Sequence, residues 1–121
     1  KGYDVNYIYG GNSFFDNMGY FFGHNGYGVL DKSNIPASFV NHTTAWGIDD
    51  EGTFNYTLGE CDKSYKNGKP FFNHIMTVSN HRPYTYPDGR IDIPSSFKLV
   101  AGGVKYTSGL ALFIFLTTSL K

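Results

Sequence analysis

The chain has 121 residues and carries ten Lys and Arg against ten Asp and Glu, so its formal net charge is zero. This length is enough for one domain or part of one, and a neutral chain lacks the positive field expected of a nucleic-acid-binding protein. Apolar residues make up 40% and charged residues 17%, a balance that predicts a folded chain and excludes a disordered one.

The first 26 residues predict a strand followed by a helix. Residues 5–9 form a short β-branched and aromatic run that ends at Gly10-Gly11, which predicts a buried strand. Ser13 is a predicted N-cap for a helix over residues 14–22, with Asp16 at the third helical position. Apolar side chains of this helix fall on one stripe: Phe14, Met18, Phe21 and Phe22.

Strands and helices are predicted to alternate along the rest of the chain. The predicted elements are a strand at 28–30, a loop at 32–45, a helix from Asp49 or Asp50 to about Tyr65, a strand at 71–78, a Pro-rich loop at 82–96 and a helix at 99–120. This alternation predicts an α/β fold with a mostly parallel sheet. The longest apolar run, 110–116, is far shorter than the ~20 residues that a transmembrane helix needs.

Polar clusters follow the first and the last predicted strand. Residues 10–13 follow the first, and residues 79–82, which include His81 and Arg82, follow the last. Ligands of parallel sheets bind beyond the carboxyl ends of strands, and a helix beginning after Gly10-Gly11 would direct free N–H groups at an anion such as phosphate or sulfate. His81 is interpreted either as a donor to an ester oxygen or as a loop residue that ends the strand.

The remaining polar residues have structural interpretations beside functional ones. His74 is expected to be a core histidine, and His24 and His42 are expected to lie at the surface. Asp16 and Asn17 either cap the first helix or face a ligand. The acidic run at residues 49–51 is interpreted as carboxylates favoured by a helix N-terminus, in preference to a metal site.

Cys61 is the one cysteine of the chain, which excludes an internal disulfide framework. It lies between Glu60 and Asp62, and neighbouring carboxylates disfavour the thiolate form of a cysteine. We therefore interpret Cys61 as a structural residue. The sequence begins with Lys1, without an initiator Met and without the basic and then apolar stretch of a signal peptide. We therefore interpret it as a piece of a longer chain.

Several ordered blocks between about residues 2 and 107 resemble the lipoteichoic acid synthase-like branch of the sulfatase family, within the alkaline phosphatase superfamily. The most specific blocks are Lys69-Pro70-Phe71-Phe72 and residues 77–84, which read Thr-Val-Ser-Asn-His-Arg-Pro-Tyr. Further matching blocks lie at residues 9–18, 21–22, 25–27, 31, 46–54, 88–94 and 105–106. That branch is similar to membrane phosphoglycerol transferases.

The resemblance implies a partial α/β sandwich of the alkaline phosphatase type, a divalent Mn²⁺ or Mg²⁺ ion, a Thr nucleophile or a formylglycine, and an extracytoplasmic catalytic domain at the cell membrane. By position, His81 is implied as the catalytic residue at the substrate, a phosphate or sulfate ester. Phe15, Asp16, Asn17 and Arg82 are implied as substrate-binding residues together with His81. Phe15 and Asn17 stand where phosphoglycerol transferases usually have Trp and Arg, which argues against glycerol phosphate as the substrate.

The nucleophile and the metal ligands of the family fall outside the matched blocks. Residues 1–121 are therefore expected to be one partial catalytic domain that holds no metal by itself and is inactive in isolation. Its expected partners are the flanking parts of the same domain and the ester substrate. Two alternatives stay open: a non-catalytic binding or structural module that associates with itself, and a degenerate gene fragment.

Overall fold

The computed structural model describes residues 2–83 and 85–87, within which three strands and two α-helices alternate. Two short 3₁₀ turns, Phe15–Asn17 and Ala37–Phe39, lie between them. In chain order the main elements are β1 (Asp4–Tyr9), α1 (Met18–His24), β2 (Gly28–Leu30), α2 (Asp50–Lys66) and β3 (Phe71–Met76).

The three strands form one parallel sheet in the order β2-β1-β3. Tyr7 of β1 is in register with Val29 of β2 on one side and with His74 of β3 on the other. The predicted α/β fold with a mostly parallel central sheet is therefore confirmed. Because all three strands run the same way, their carboxyl ends lie at one edge, which we call the carboxyl edge.

Side chains of β1 alternate between two apolar layers, as the period of a strand requires. Ile8 packs in a layer with Ile75, Ile48 and Tyr56 of α2, on the face that α2 covers. Tyr7 and Tyr9 face the opposite layer, where Tyr7 stacks on Phe22 of α1 with ring centroids 3.9 Å apart. The central strand is thus buried between helices on both faces.

The predicted helix from Asp49 or Asp50 is confirmed as α2, with Asp49 at its N-cap position. Its C-terminus is closed by Gly68, which adopts φ +64 and donates its N–H to the Tyr65 carbonyl at 2.9 Å. Glycine tolerates this left-handed backbone without a steric penalty, which explains why the helix stops there.

The predicted helix over residues 14–22 is wrong in its beginning, because α1 begins at Met18. Ser13 does not cap it: the Ser13 hydroxyl donates to the Asp31 carboxylate at 2.7 Å. Asp16 and Asn17 adopt left-handed φ values of 48 and 57, which no α-helix accommodates. A helix N-terminus therefore does not follow Gly10-Gly11 directly.

The predicted apolar stripe is only partly confirmed. Met18 and Phe22 pack against the core layer of Tyr7. Phe14 is 89% exposed and Phe21 is 60% exposed, so neither side chain belongs to the described core. The late start of α1 leaves Phe14 outside the helix and so outside its stripe, whereas Phe21 lies within α1 with its ring against that of Phe22.

Strand β3 ends at Met76, two residues before the predicted end of the strand, and the polar block 79–82 follows it. The helix predicted at 99–120 and most of the Pro-rich loop predicted at 82–96 lie outside the described residues. Within the described part of the chain, no helix is long and apolar enough to cross a bilayer.

Candidate functional site

Three segments that are distant in sequence meet at the carboxyl edge through their aromatic rings. Phe15 comes from the turn after β1, Trp46 from the loop before α2 and His81 from the block after β3. The indole ring of Trp46 contacts both of the other rings, with its centroid 5.8 Å from that of Phe15 at 74° and 4.0 Å from that of His81 at 52°. We call these three residues the aromatic wall.

The position of Trp46 is set by a tight turn over residues 44–47 that rests on the end of β1. The Trp46 N–H donates to the Thr44 hydroxyl at 3.1 Å, and the Thr44 N–H donates to the Gly47 carbonyl at 2.7 Å. Gly47 adopts φ +148, and a Cβ there would lie 2.2 Å from the Gly10 carbonyl oxygen. Only glycine allows the turn to approach Gly10 this closely.

Asp50, the first residue of α2, holds the block after β3. One carboxylate oxygen accepts the N–H groups of Val78 at 2.7 Å and Ser79 at 3.0 Å, while the Asp50 N–H donates to the Ser79 hydroxyl at 2.9 Å. The His81 N–H then donates to the Val78 carbonyl at 3.1 Å. These bonds end β3 and direct the chain across the carboxyl edge, where His81 and Arg82 are exposed.

The backbone carbonyl of Arg82 is a shared acceptor beside His81. The Trp46 indole N–H donates to it at 2.6 Å, and the His81 Nδ1 lies 3.0 Å from the same oxygen. Each carbonyl oxygen has two lone pairs, so both contacts can be made at once. The His81 ring is thereby held on one face by the indole and on one edge by this carbonyl.

Asp16 and Asn17 lie in the turn that carries Phe15, and both are exposed. Neither makes a side-chain capping hydrogen bond, so the capping interpretation of Asp16 is wrong. Burial raises the pKa of Tyr9, and the negative charge of Asp16 raises it further, which places the Asp16 carboxylate near the end of β1. Consecutive left-handed residues other than glycine cost about 1–3 kcal/mol each and cluster at functional sites.

Asp31 clamps the start of this turn to the end of β2. It accepts hydrogen bonds from the N–H and hydroxyl of Ser13 at 3.1 and 2.7 Å, and from those of Ser33 at 2.9 and 2.6 Å. Partial burial acts to raise the pKa of Asp31, but these hydrogen bonds prevail and lower it to about 2. The carboxylate therefore stays ionised at neutral pH and fixes the turn.

The other three histidines lie on β3, on α1 and in the loop before α2. His74 is half-buried among the rings of Tyr7, Phe22 and Tyr27, and burial lowers its pKa, so the prediction of a core histidine is confirmed. His24 is exposed, as predicted. His42 is half-buried rather than at the surface, because its backbone carbonyl pairs with the Asp49 N–H beside α2.

Cys61 is buried in α2 and accepts a hydrogen bond from the Asn73 side chain at 3.2 Å. Burial raises the pKa of its thiol, and the charges of Asp62 and Glu60 add to that rise. A buried, protonated thiol is a poor nucleophile, and the structural interpretation is confirmed.

A metal site needs several His, Cys, Asp or Glu side chains that converge on one point. No group of three His, Cys, Asp or Glu side chains among them is arranged to hold a metal ion. Asp50 of the acidic run uses its carboxylate on backbone N–H groups, in agreement with the helix N-terminus interpretation. The donor side chains of the described residues therefore do not fit a metal ion.

The sequence pattern placed His81 directly after the last strand, where the structure has it, and the family resemblance implied Phe15, but neither assigned a role to Trp46 or Asp31. The signal for Trp46 was available: the one tryptophan of the chain stands in a Thr-x-Trp-Gly turn just before a helix. The assembled edge presents an exposed imidazole, a guanidinium, an aromatic wall and the Asp16 carboxylate. Such a set can bind an oxyanion and contact the alcohol group next to it.

Comparisons with known proteins point to one superfamily. The family model described as Sulfatase matches residues 1–98. A protein of the alkaline phosphatase superfamily from Vibrio parahaemolyticus is similar at 39% identity and TM-score 0.71, over 76% of this chain and 22% of that one. The lipoteichoic acid synthase LtaP from Listeria monocytogenes shares the fold at 24% identity and TM-score 0.64, over 80% of this chain and 24% of that one. The chain thus spans less than a quarter of the length of either solved structure.

Proposed function

We propose, from the premise that this chain belongs to the sulfatase family, that its carboxyl edge forms the substrate-facing wall of a site that transfers or hydrolyses a phosphate or sulfate ester. The observation that carries the proposal is the contact of Phe15, Trp46 and His81, which unites the segments after β1 and β3 at one edge. Ligands of parallel sheets bind at this edge, so the placement agrees with the chemistry of the family.

The roles of the individual residues follow from their groups and positions. His81 presents an exposed imidazole that can donate a proton or a hydrogen bond to an ester oxygen. Arg82 adds a positive charge next to it, suited to the oxyanion. Asp16 and Asn17 follow Phe15 in the exposed turn after β1 and are proposed to contact the head group. A carboxylate repels an anion, so Asp16 is suited to hydroxyl groups of the substrate.

The proposal assigns the nucleophile and the metal to other parts of the same domain. The sulfatase family generally uses a divalent metal ion, and Mn²⁺ or Mg²⁺ is proposed here. Residues 1–121 are then the middle segment of one catalytic domain, which accords with their covering 22% and 24% of the two similar structures. Membership of the lipoteichoic acid synthase-like branch and an extracytoplasmic position at the cell membrane belong to the same proposal.

Sequencing the reading frame on both sides of residues 1–121 tests this assignment. We expect a Thr or Cys nucleophile and a metal-binding carboxylate upstream, and an Asp-His pair downstream. The protein encoded by the complete frame is then assayed with p-nitrophenyl phosphate and p-nitrophenyl sulfate, which separates the two ester types. The 121-residue chain is the matched control and is expected to turn over neither ester.

Two results would contradict the proposal. A stop codon directly after Lys121 with no coding sequence before Lys1 would leave only the binding module or the gene fragment. Metal-dependent turnover by the purified 121-residue chain would show that the nucleophile lies within it. A concentration-dependent mass of that chain in solution would in addition favour the self-associating module.

A further inference from the structure

We infer that Trp46 is a positioning residue for His81: it fixes the orientation and the proton location of the imidazole that faces the substrate. The inference rests on the proposed function, because it concerns the same edge of the sheet. It adds a residue to which neither the sequence nor the family comparison assigned a role, and it specifies which nitrogen of His81 is presented to the ester.

Trp46 reaches His81 by two independent contacts. Its ring packs against the imidazole, with centroids 4.0 Å apart and the planes tilted by 52°. Its indole N–H donates to the Arg82 carbonyl at 2.6 Å, and that carbonyl lies 3.0 Å from His81 Nδ1. The first contact limits rotation of the His81 ring, and the second fixes the acceptor that the ring faces.

The Arg82 carbonyl determines where the His81 proton is. A carbonyl oxygen only accepts hydrogen bonds, so the His81 nitrogen beside it must carry the hydrogen. Neutral His81 is therefore the Nδ1–H tautomer, and its Nε2 is left with a lone pair directed away from Arg82. When the ring carries a second proton, Nε2 becomes the donor to an ester oxygen, while Nδ1–H keeps its hydrogen bond to the carbonyl.

Trp46 itself is held firmly enough to act as this support. Its backbone N–H is fixed by the Thr44 hydroxyl at 3.1 Å, and the ring of Phe15 packs against the indole at an interplanar angle of 74°. Its neighbour Gly47 approaches the Gly10 carbonyl so closely that a Cβ on Gly47 would lie 2.2 Å from that oxygen. The end of β1 thus sets the position of the indole, and the indole sets the position of His81.

The experiment measures the tautomer of His81 by long-range ¹H–¹⁵N NMR on the labelled 121-residue chain at a pH where histidine is neutral. Trp46→Phe keeps a ring but removes the N–H, and Trp46→Leu removes both. The matched control is Tyr20→Leu, because Tyr20 stacks on a different exposed histidine, His24, with centroids 3.8 Å apart. The dissociation constants of inorganic phosphate and sulfate are measured by titration on the same variants of the protein encoded by the complete reading frame.

In the wild-type chain we expect His81 to be mainly the Nδ1–H tautomer. Trp46→Leu is expected to lower that fraction and to weaken anion binding about tenfold, through loss of one ring contact and one hydrogen bond. Trp46→Phe is expected to give an intermediate loss. Tyr20→Leu is expected to change the His24 signals and leave His81 and anion binding as in the wild type.

A wild-type His81 that is mainly the Nε2–H tautomer overturns the inference, and so does a Trp46→Leu chain with an unchanged tautomer ratio. Should Trp46→Leu lose the core signals of Ile8 and Ile75 and so be unfolded, the Phe variant decides, and an unchanged ratio there overturns the inference. If the protein encoded by the complete reading frame binds neither anion while His81 behaves as expected, that result counts against the proposed function alone.

Discussion

Asp50 is expected to stabilise both the fold and the site, and Asp50→Ala tests this. The substitution removes two hydrogen bonds from backbone N–H groups to a carboxylate, those of Val78 and Ser79. Bonds to charged groups contribute about 1.5–3 kcal/mol each, and partial exposure of Asp50 places the pair at the low end, about 3 kcal/mol. For a domain of this size, that is a fall in Tm of about 10 °C.

Urea and thermal unfolding followed by circular dichroism measure the loss. The matched control is Asp62→Ala, which removes the same charge from an exposed position of the same helix and is expected to change the stability by less than about 0.5 kcal/mol. Equal stability of the two variants would refute the claim that Asp50 holds the segment after β3. NMR signals of His81 should broaden or shift in Asp50→Ala and not in Asp62→Ala.

Three further outcomes are expected. The pKa of Asp31 falls from 3.8 to about 2 on folding, so its carboxylate contributes stability above pH 3.8 that is lost as the pH falls towards 2. Asp31→Asn should therefore flatten that part of the acid-unfolding curve, and an unchanged slope would contradict this role of Asp31. Gly47→Ala should lower the free energy of unfolding by about 3 kcal/mol or more in denaturant, since its Cβ would lie 2.2 Å from the Gly10 carbonyl oxygen. Gly59→Ala, in the middle of α2 with nothing within 4 Å of the added Cβ, should raise it by about 1 kcal/mol, and equal effects of the two variants would contradict the close approach at Gly47. His74 should titrate by NMR below 6.5, because burial disfavours its charged form, and a titration above 6.5 would exclude the packing among Tyr7 and its neighbours.

The parallel sheet and α2 were predictable because the signals for them are local. Short β-branched and aromatic runs bounded by glycines mark β1 and β3, and Asn67-Gly68 marks the end of α2. Polar residues directly after the strands predicted the carboxyl edge, since parallel strands must end on one side. His81 was placed correctly for this reason alone.

The start of α1 was not predictable from local signals, because the Ser13 hydroxyl is used by a partner 18 residues away. Capping of the helix by Ser13 and the hydrogen bond from Ser13 to Asp31 would both use the Ser13 hydroxyl, and the sequence does not show which of the two forms. The Asp16-Asn17 pair does carry a signal, since Asp and Asn enter the left-handed region more readily than other residues with a side chain. Trp46 was missed because its role depends on rings from two distant segments.

The central claim is that His81 acts on the substrate at the carboxyl edge, and the kinetics of His81→Ala in the protein encoded by the complete reading frame test it most directly. We expect kcat/KM for the preferred p-nitrophenyl ester to fall by about 100-fold or more, the usual contribution of a general acid or base. His24→Ala, an exposed histidine on α1, is the control and should retain wild-type activity. A His81→Ala protein with the wild-type kcat/KM would contradict the account.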